Sequence, residues 1–252
     1  MGKIITIVNQ KGGVGKTTTA VNLAVALSIY EKKVLLVDLD PQGNTTSGLG
    51  IDKTKLEYHS YDIILNKDLT RKAILKTEIE NLYLIGSNID LTGAEIDLVK
   101  EFAREHKLKE ALLPIKEEYD YIFIDCPPSL GLLTVNAMTV CTDIIIPIQC
   151  EYYALEGVSQ LLNTIRLIQK NLNPNLNIFG VLLTMFVKNL NLSNQVALEV
   201  KNYFKDKVFE TVIIRNVKLS EAPSHGKSIL HYDIKSIGAQ NYLQLAVEVI
   251  GR

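Results

Sequence analysis

The chain has 252 residues, a formal net charge of −1 and 47% hydrophobic residues. A chain of this size and composition can bury a sizeable core, which excludes a disordered protein and favours one large α/β domain over residues 1–252. The balanced charge excludes a surface that is basic throughout, so an anionic partner must meet a local patch.

Six short runs along the chain are almost continuously apolar and rich in isoleucine and valine. Such runs are typical of strands covered on both faces, and they predict strands at 3–8, 33–38, 81–86, 121–126, 143–148 and 179–184. Longer segments with helical spacing lie between them, at 16–30, 94–117, 155–172, 192–205 and 236–250. The alternation predicts a doubly wound, mostly parallel α/β sheet.

No linker, repeat or low-complexity tract divides the chain, which favours a single domain. Residues 41–80 begin with turn-forming residues and continue with mixed polar ones, so we expect mobile surface connections there. No window reaches 18 apolar residues and no secretory signal is visible, so we expect neither a membrane-spanning nor a secreted protein. Three cysteines without C-x-x-C spacing favour a reducing cytoplasm.

The segment KGGVGKTT at residues 11–18 is a glycine-rich turn between a predicted strand and a predicted helix. In this context backbone N–H groups bind phosphate oxygens, a lysine neutralises charge and a threonine hydroxyl coordinates Mg²⁺. The standard pattern G-x-x-x-x-G-K-[ST] fails at its first position, which is Gln10. Lys16 and Thr17 nevertheless follow the glycines in the required order, which predicts nucleotide binding rather than a plain turn with solvated lysines.

The loop resembles the deviant Walker A motif of the ParA/MinD group of P-loop ATPases. Segments 35–50, 119–137, 147–165 and 213–233 resemble the ParA/Soj branch, which acts in chromosome and plasmid partition. The resemblance covers nearly the whole chain and implies a P-loop NTPase fold, ATP and Mg²⁺ as cofactors, and weak intrinsic ATPase turnover. It implies a nucleotide site formed by Lys11, Gly12, Gly13, Val14, Gly15, Lys16, Thr17, Thr18, Arg215 and Asn216.

Lys11 is the additional lysine of this loop. In the family, the lysine at this position reaches across a dimer interface to the phosphates of the ATP in the other subunit. The resemblance therefore implies an ATP-dependent homodimer with two buried nucleotides, in which Lys11 and Lys16 are both catalytic residues that stabilise phosphoryl charge.

Three aspartates lie at or just after the ends of predicted strands, where ligands bind in open α/β sheets. Asp125 fits a Walker B carboxylate that holds the Mg²⁺ shell, with Thr17 as the direct hydroxyl ligand. Asp40 matches the family residue that positions or activates the attacking water, and we place it in the metal site as well. We expect Asp38 to support the loop and the metal's water shell. The alternative for each is a solvated loop aspartate.

Residues 188–235 contain eight Lys or Arg against five Asp or Glu, a net charge of +3. A dimer would double this basic face, which predicts non-specific, salt-sensitive DNA binding, although a scattered solvated surface is the alternative. Two DNA-binding arginines of the family fall at Asn189 and Lys218 here. We therefore expect Lys218 to keep the second charge and Lys188 to replace the first.

The resemblance implies a function in which ATP drives dimerisation, the dimer coats nucleoid DNA in the cytoplasm, and a centromere-binding partner of the ParB type stimulates hydrolysis and release. The alternative is a membrane-associated division-site ATPase of the MinD type, which carries a basic amphipathic C-terminal helix. Residues 239–252 contain Arg252 as their one cation, so we expect this helix to pack on the domain and no membrane binding. A small-molecule kinase would need an acceptor base and an arginine lid, which the sequence does not show.

Overall fold

The computed structural model describes residues 2–151 and 156–252. Within them the strands are β1 Lys3–Ile7, β2 Val34–Asp38, β3 Ile74–Lys76, β4 Leu82–Ile85, β5 Tyr121–Asp125, β6 Asp143–Gln149 and β7 Asn177–Thr184. They form one sheet in the order β3-β4-β2-β5-β1-β6-β7. Neighbouring strands are parallel except for β3, which pairs antiparallel with β4 at one edge. The predicted mostly parallel sheet is confirmed.

The helices connect these strands. The α-helices of the described residues are α1 Lys16–Ile29, α2 Asn44–Gly48, α3 Ser60–Leu65, α4 Thr70–Ala73, α5 Ala94–Leu98, α6 Lys107–Leu112, α7 Leu132–Val140, α8 Glu156–Asn171, α9 Asn191–Phe204, α10 Lys218–Glu221, α11 Ile229–Tyr232 and α12 Ile237–Gly251. The predicted helices at 16–30, 192–205 and 236–250 correspond to α1, α9 and α12. The predicted helix at 155–172 corresponds to α8, and its first residue lies outside the described residues.

The single helix predicted at 94–117 is wrong. The structure has α5 and α6 there, separated by a turn in which Ala103 has a φ of 51°. A residue in this left-handed region ends an α-helix. Leu98 and Leu108 are both fully buried in one core, so the apolar spacing continues across the break and imitates a single helix.

Residues 41–80 are not the irregular connections that we expected, because α2, α3, α4 and β3 lie there. Each is six residues or shorter and is held by contacts with distant residues; β3, for example, pairs with β4. Helix α7 was also not predicted. Its side chains are buried on almost every side, so the sequence has no amphipathic period there.

Two apolar cores lie on the two faces of the sheet. Helices α1 and α12 contribute to one core, and α7, α8 and α9 contribute to the other. This is the doubly wound arrangement; the assignment of the whole chain to a single domain stays a prediction. The pairing register places Asp125 beside Ile7 of β1 and beside Asp38 of β2. The carboxyl ends of the three central strands therefore meet where the glycine-rich loop begins.

Candidate nucleotide and metal site

The glycine-rich loop leaves β1 and enters α1 through two left-handed glycines. Gly13 has a φ of 73°, and Gly15, the N-cap of α1, has a φ of 90°. A Cβ atom added at Gly12 or Gly13 would meet no described atom within 4 Å. The loop backbone and the first turn of α1 therefore border open space, as a phosphate site requires.

Two side chains hold this loop in place, Asn9 just after β1 and Thr184 at the end of β7. The hydroxyl of Thr184, at the end of β7, donates to the Val14 carbonyl at 2.8 Å. The Asn9 amide donates to the Pro147 carbonyl at 2.8 Å and accepts the Lys11 backbone N–H at 2.9 Å. The loop shape is thus fixed by the sheet as well as by its own glycines.

The two lysines of the loop have different surroundings. Lys16 is 7% exposed, and its Nζ donates to the Lys11 carbonyl at 3.2 Å, across the loop. Burial lowers the pKa of Lys16, while the charges of Asp125 and Asp40 act in the opposite direction. The Lys11 side chain is 37% exposed, and its Nζ lies 3.9 Å from a carboxylate oxygen of Glu151. Lys16 thus faces the loop interior, whereas Lys11 points out of it.

Asp125 lies fully buried at the end of β5. Its Oδ2 accepts hydrogen bonds from the hydroxyls of Thr17 at 2.8 Å and Thr45 at 2.7 Å. Its Oδ1 is buried and has no hydrogen-bond partner among the described residues. Burial, the largest cause, raises the pKa of Asp125 to about 6.

An unpartnered carboxylate oxygen next to a threonine hydroxyl fits Mg²⁺, which takes oxygen ligands and keeps several of its waters. The described residues contain no cluster of three His, Cys, Asp or Glu side chains that could hold a metal ion. The arrangement therefore suits an ion held mainly by phosphates and water, with Thr17 and Asp125 as the protein contribution. The assignment of Asp40 to the metal site stays a prediction.

The two aspartates after β2 differ in their surroundings. Asp38 is fully buried, and burial followed by the nearby charge of Asp125 raises its pKa to about 7. Asp40 is 9% exposed, and its Oδ1 accepts the backbone N–H of Gln42 at 2.9 Å. Asp40 is therefore largely buried, although less completely than Asp38.

A cavity of about 420 Å³ opens beside the loop, between α1, the end of β7 and the segment before α10. It includes Gly15, Thr18, Arg215 and Asn216 of the predicted nucleotide site. Its remaining lining is mainly apolar, from Met185, Ile213, Ile214, Val217, Leu219 and Tyr242. Its volume and lining suit a flat heterocyclic ring next to the phosphate loop.

The two predicted DNA-binding lysines lie outside this cavity. Lys188 is exposed in the turn before α9. Lys218 begins α10 and forms an ion pair with Asp233, which raises the pKa of Lys218 and lowers that of Asp233. The net charge of +3 for residues 188–235 already counts both members of this pair, so the pair restricts the Lys218 side chain without changing the net charge of the basic face.

Sequence reasoning missed the residues that tie the site together. Thr45 bonds to Asp125, Thr46 bonds to Asp38, and Asn9 and Thr184 hold the loop. The adjacent threonines in GNTTSG, directly after the predicted turn, were the available signal. Nothing local indicates which carboxylate each hydroxyl meets.

Comparison with known proteins adds family information to this geometry. The AAA domain family model matches residues 2–178. The sporulation initiation inhibitor protein Soj of Bacillus subtilis is 61% identical over 99% of this chain and 98% of its own length. The chromosome partitioning protein ParA of Myxococcus xanthus is 53% identical over 100% of this chain and 89% of its own length.

A solved structure shares the fold over the full length of the chain. It is the cobyrinic acid a,c-diamide synthase of Mycobacterium smegmatis with bound ATP analogue and magnesium, at 37% identity and a TM-score of 0.88, covering 100% of this chain and 98% of that one. The level of identity is much higher for the partitioning proteins. The phosphate loop, the strand-end carboxylates and these full-length matches together show that the chain belongs to the ParA/Soj family of chromosome-partitioning ATPases.

Proposed function

We propose that this protein is an ATP-switched DNA-partitioning ATPase. ATP with Mg²⁺ joins two copies into a dimer, the dimer binds nucleoid DNA without sequence preference, and a ParB-like partner stimulates hydrolysis and release. Intrinsic turnover is slow, because the switch must persist until the partner arrives. The full-length similarity to Soj and ParA supports this assignment over a metabolic role like that of the diamide synthase.

The position of Lys11 is the observation that carries the dimer proposal. Lys16 already supplies a buried cation inside the loop, and the Lys11 side chain extends away from it toward Glu151. Its partial exposure and its 3.9 Å distance from Glu151 make that pairing weak. Lys11 is therefore free to exchange Glu151 for the phosphates of a nucleotide in a second copy, which makes the nucleotide part of the contact between subunits.

The site residues divide into binding and hydrolytic roles. The loop N–H groups and Lys16 bind phosphate oxygens, and Thr17 and Asp125 would hold Mg²⁺. When bound, Mg²⁺ neutralises charge that develops on the phosphoryl oxygens. Asp40, which is less buried than Asp38, orients the attacking water. Arg215 and Asn216 line the cavity that would take the adenine.

The surroundings of α12 disfavour a C-terminal helix that binds lipid, as the MinD-type alternative requires. The apolar side of α12 is already covered, because Tyr242, Leu245 and Val249 are buried against α1 and the sheet. Arg252 is held by Glu248 and by backbone carbonyls. Among the described residues, no helix is both long and apolar enough to cross a membrane. On this proposal the protein is a cytoplasmic, nucleoid-associated protein whose DNA contacts include Lys188 and Lys218.

Sedimentation of the wild type and of Lys11→Ala, each with ATP, with ADP and without nucleotide, tests this proposal. We expect the wild type to dimerise with ATP alone and Lys11→Ala to stay monomeric while it still binds ATP. Lys100→Ala, which removes an exposed lysine far along the chain from the loop, is the control and should dimerise normally. Wild-type dimers that form equally well without nucleotide would refute the proposal. Co-sedimentation with DNA and with anionic liposomes separates it from the MinD-type alternative.

A further inference from the structure

Asp38 is a buried carboxylate whose two oxygens are both occupied by contacts within the protein. Its Oδ2 accepts the backbone N–H of Thr46 at 2.9 Å and the Thr46 hydroxyl at 2.7 Å. Its Oδ1 accepts the backbone N–H of Asp40 at 3.2 Å. These bonds support the segment after β2, in line with the loop support that we expected of Asp38; its expected role in the metal's water shell stays a prediction.

The adjacent threonines of α2 connect this residue to the rest of the site. Thr46 bonds to Asp38 at the end of β2, while Thr45 bonds to Asp125 at the end of β5. The Thr46 hydroxyl also accepts the backbone N–H of Ser87, after β4, at 2.9 Å. The short helix α2 is thereby hydrogen-bonded to the ends of the neighbouring strands β4, β2 and β5. Asp40 lies in the segment that connects the end of β2 to α2.

The position of Asp40 depends on the hydrogen bonds of Asp38, Thr45 and Thr46. Its own carboxylate accepts an N–H from Gln42, which belongs to the same turn and moves with it. The bond from the Asp40 N–H to Asp38 is one of the contacts that link this turn to the strand ends, together with the bond from the Leu39 N–H to the Asp125 carbonyl at 2.9 Å. A displacement of about 1 Å at a reacting group lowers the rate on the order of a hundredfold, so the hydrogen bonds that position Asp40 should affect the rate of hydrolysis.

We propose that Asp38 is a positioning residue for hydrolysis, which acts through Thr46 and the Asp40 backbone to hold the Asp40 carboxylate in register with Asp125. This inference rests on the proposed function, since it concerns the hydrolytic step of the same site. It assigns to Asp38 no contact with nucleotide, metal or water. A substitution that weakens the hydrogen bonds of Asp38 therefore slows ATP hydrolysis. Nucleotide binding, which uses the loop and Thr17, stays largely intact.

The test compares Thr46→Val, Thr46→Ser and Asp38→Asn with the wild type. Valine keeps the shape of threonine and loses the hydroxyl, whereas serine keeps the hydroxyl. Asparagine has one acceptor oxygen, so its amide N–H groups must face the donor N–H of either Asp40 or Thr46. The matched control is Thr139→Val, which removes a buried hydroxyl that bonds inside α7. Each variant is measured for melting temperature, affinity for a fluorescent ATP analogue, and kcat and KM for ATP.

We expect kcat to fall about ten- to a hundredfold in Thr46→Val and Asp38→Asn, with affinity for the analogue within about threefold of the wild type. Thr46→Ser should restore kcat, and Thr139→Val should leave it unchanged. If Thr46→Val does not fold, the kcat values of Asp38→Asn and Thr46→Ser, each compared with that of the wild type, still test the proposal.

Several outcomes overturn the inference. A normal kcat in Asp38→Asn does so, as does a Thr46→Ser enzyme as slow as Thr46→Val, which would indicate packing alone. A loss of analogue affinity in proportion to kcat would place Asp38 in binding. A wild type that hydrolyses no ATP refutes the proposed function itself, whereas a hydrolysing wild type with unaffected variants refutes only the role of Asp38.

Discussion

Replacing Asp125 with asparagine should stabilise the nucleotide-free protein at pH 8 while removing the effect of Mg²⁺ on nucleotide binding. Asp125 is fully buried, and burial raises the pKa of its carboxyl from 3.8 to about 6. A raised pKa in the folded state means that the ionised carboxylate is less favourable in the fold than in the unfolded chain. At neutral pH the native protein therefore carries the free-energy cost of this charge.

The size and sign of the effect follow from linkage. A pKa difference of about 2 units corresponds to about 3 kcal/mol. The cost is absent below pH 4, where the carboxyl is protonated in both states, and complete above pH 6, where it is ionised in both. Asparagine still accepts from Thr17 and Thr45, but it places N–H groups at the position of Oδ1, which costs about 1–3 kcal/mol. The net gain at pH 8 is therefore about 1 kcal/mol.

Urea unfolding at pH 5 and pH 8 without nucleotide measures this effect. The cost of the unpaired amide does not depend on pH, so the difference between the two pH values isolates the charge. The stability of Asp125→Asn relative to the wild type should rise by about 1–2 kcal/mol from pH 5 to pH 8. The exposed Asp206→Asn should show no such rise.

Two outcomes contradict this reasoning. One is an Asp125→Asn variant whose unfolding free energy parallels that of the wild type at both pH values, which would mean that the buried carboxyl carries no charge cost. The other is a variant that still gains as much melting temperature from Mg²⁺ with ADP, relative to ADP alone, as the wild type does. That result would remove Asp125 from the metal site.

Three further substitutions probe other parts of the chain. Asp40→Ala should retain ATP binding and ATP-dependent dimerisation while phosphate release falls, and a variant with normal turnover would exclude Asp40 from hydrolysis. Gly226→Ala should lower the free energy of unfolding by about 1–3 kcal/mol in a denaturation assay, because Gly226 has a φ of 62° and an added Cβ would lie 2.7 Å from the Cα of Gly50. Asp233→Asn frees Lys218 from its ion pair, so DNA co-sedimentation should strengthen and its log–log salt dependence should steepen by about 1; unchanged affinity would mean that Lys218 does not contact DNA.

The sequence predicted the central sheet and the phosphate loop because both depend on local requirements. A strand covered on both faces must be apolar at successive positions, as β5 is from Tyr121 to Ile124. A loop that brings its backbone close to phosphates needs glycine where φ is positive, as at Gly13 and Gly15. Each of these patterns lies within a few consecutive residues, so it can be recognised without any knowledge of tertiary contacts.

The parts that sequence analysis missed depend on residues that meet only in the folded chain. Thr45 and Asp125 are 80 positions apart, and their bond exists because β2 and β5 are neighbours in the sheet. The pairing of Lys218 with Asp233 spans 15 positions and holds one of the two predicted DNA-binding lysines in an ion pair. The break between α5 and α6 could not be predicted from the sequence, because the apolar spacing continues from Leu98 to Leu108 across it.

The parallel register also explains why this site favours a bound cation. Because β2 and β5 pair with Asp38 beside Asp125, two buried carboxylates lie next to each other, and their mutual repulsion contributes to the raised pKa of Asp38. The threonine hydroxyls occupy Oδ2 of each carboxylate, and the Asp40 N–H occupies Oδ1 of Asp38. Of the four oxygens of these two carboxylates, Asp125 Oδ1 is then the one that has no partner among the described residues. A divalent cation held by phosphates next to this oxygen would relieve the repulsion that the fold imposes, so nucleotide with Mg²⁺ should stabilise this region more than nucleotide alone.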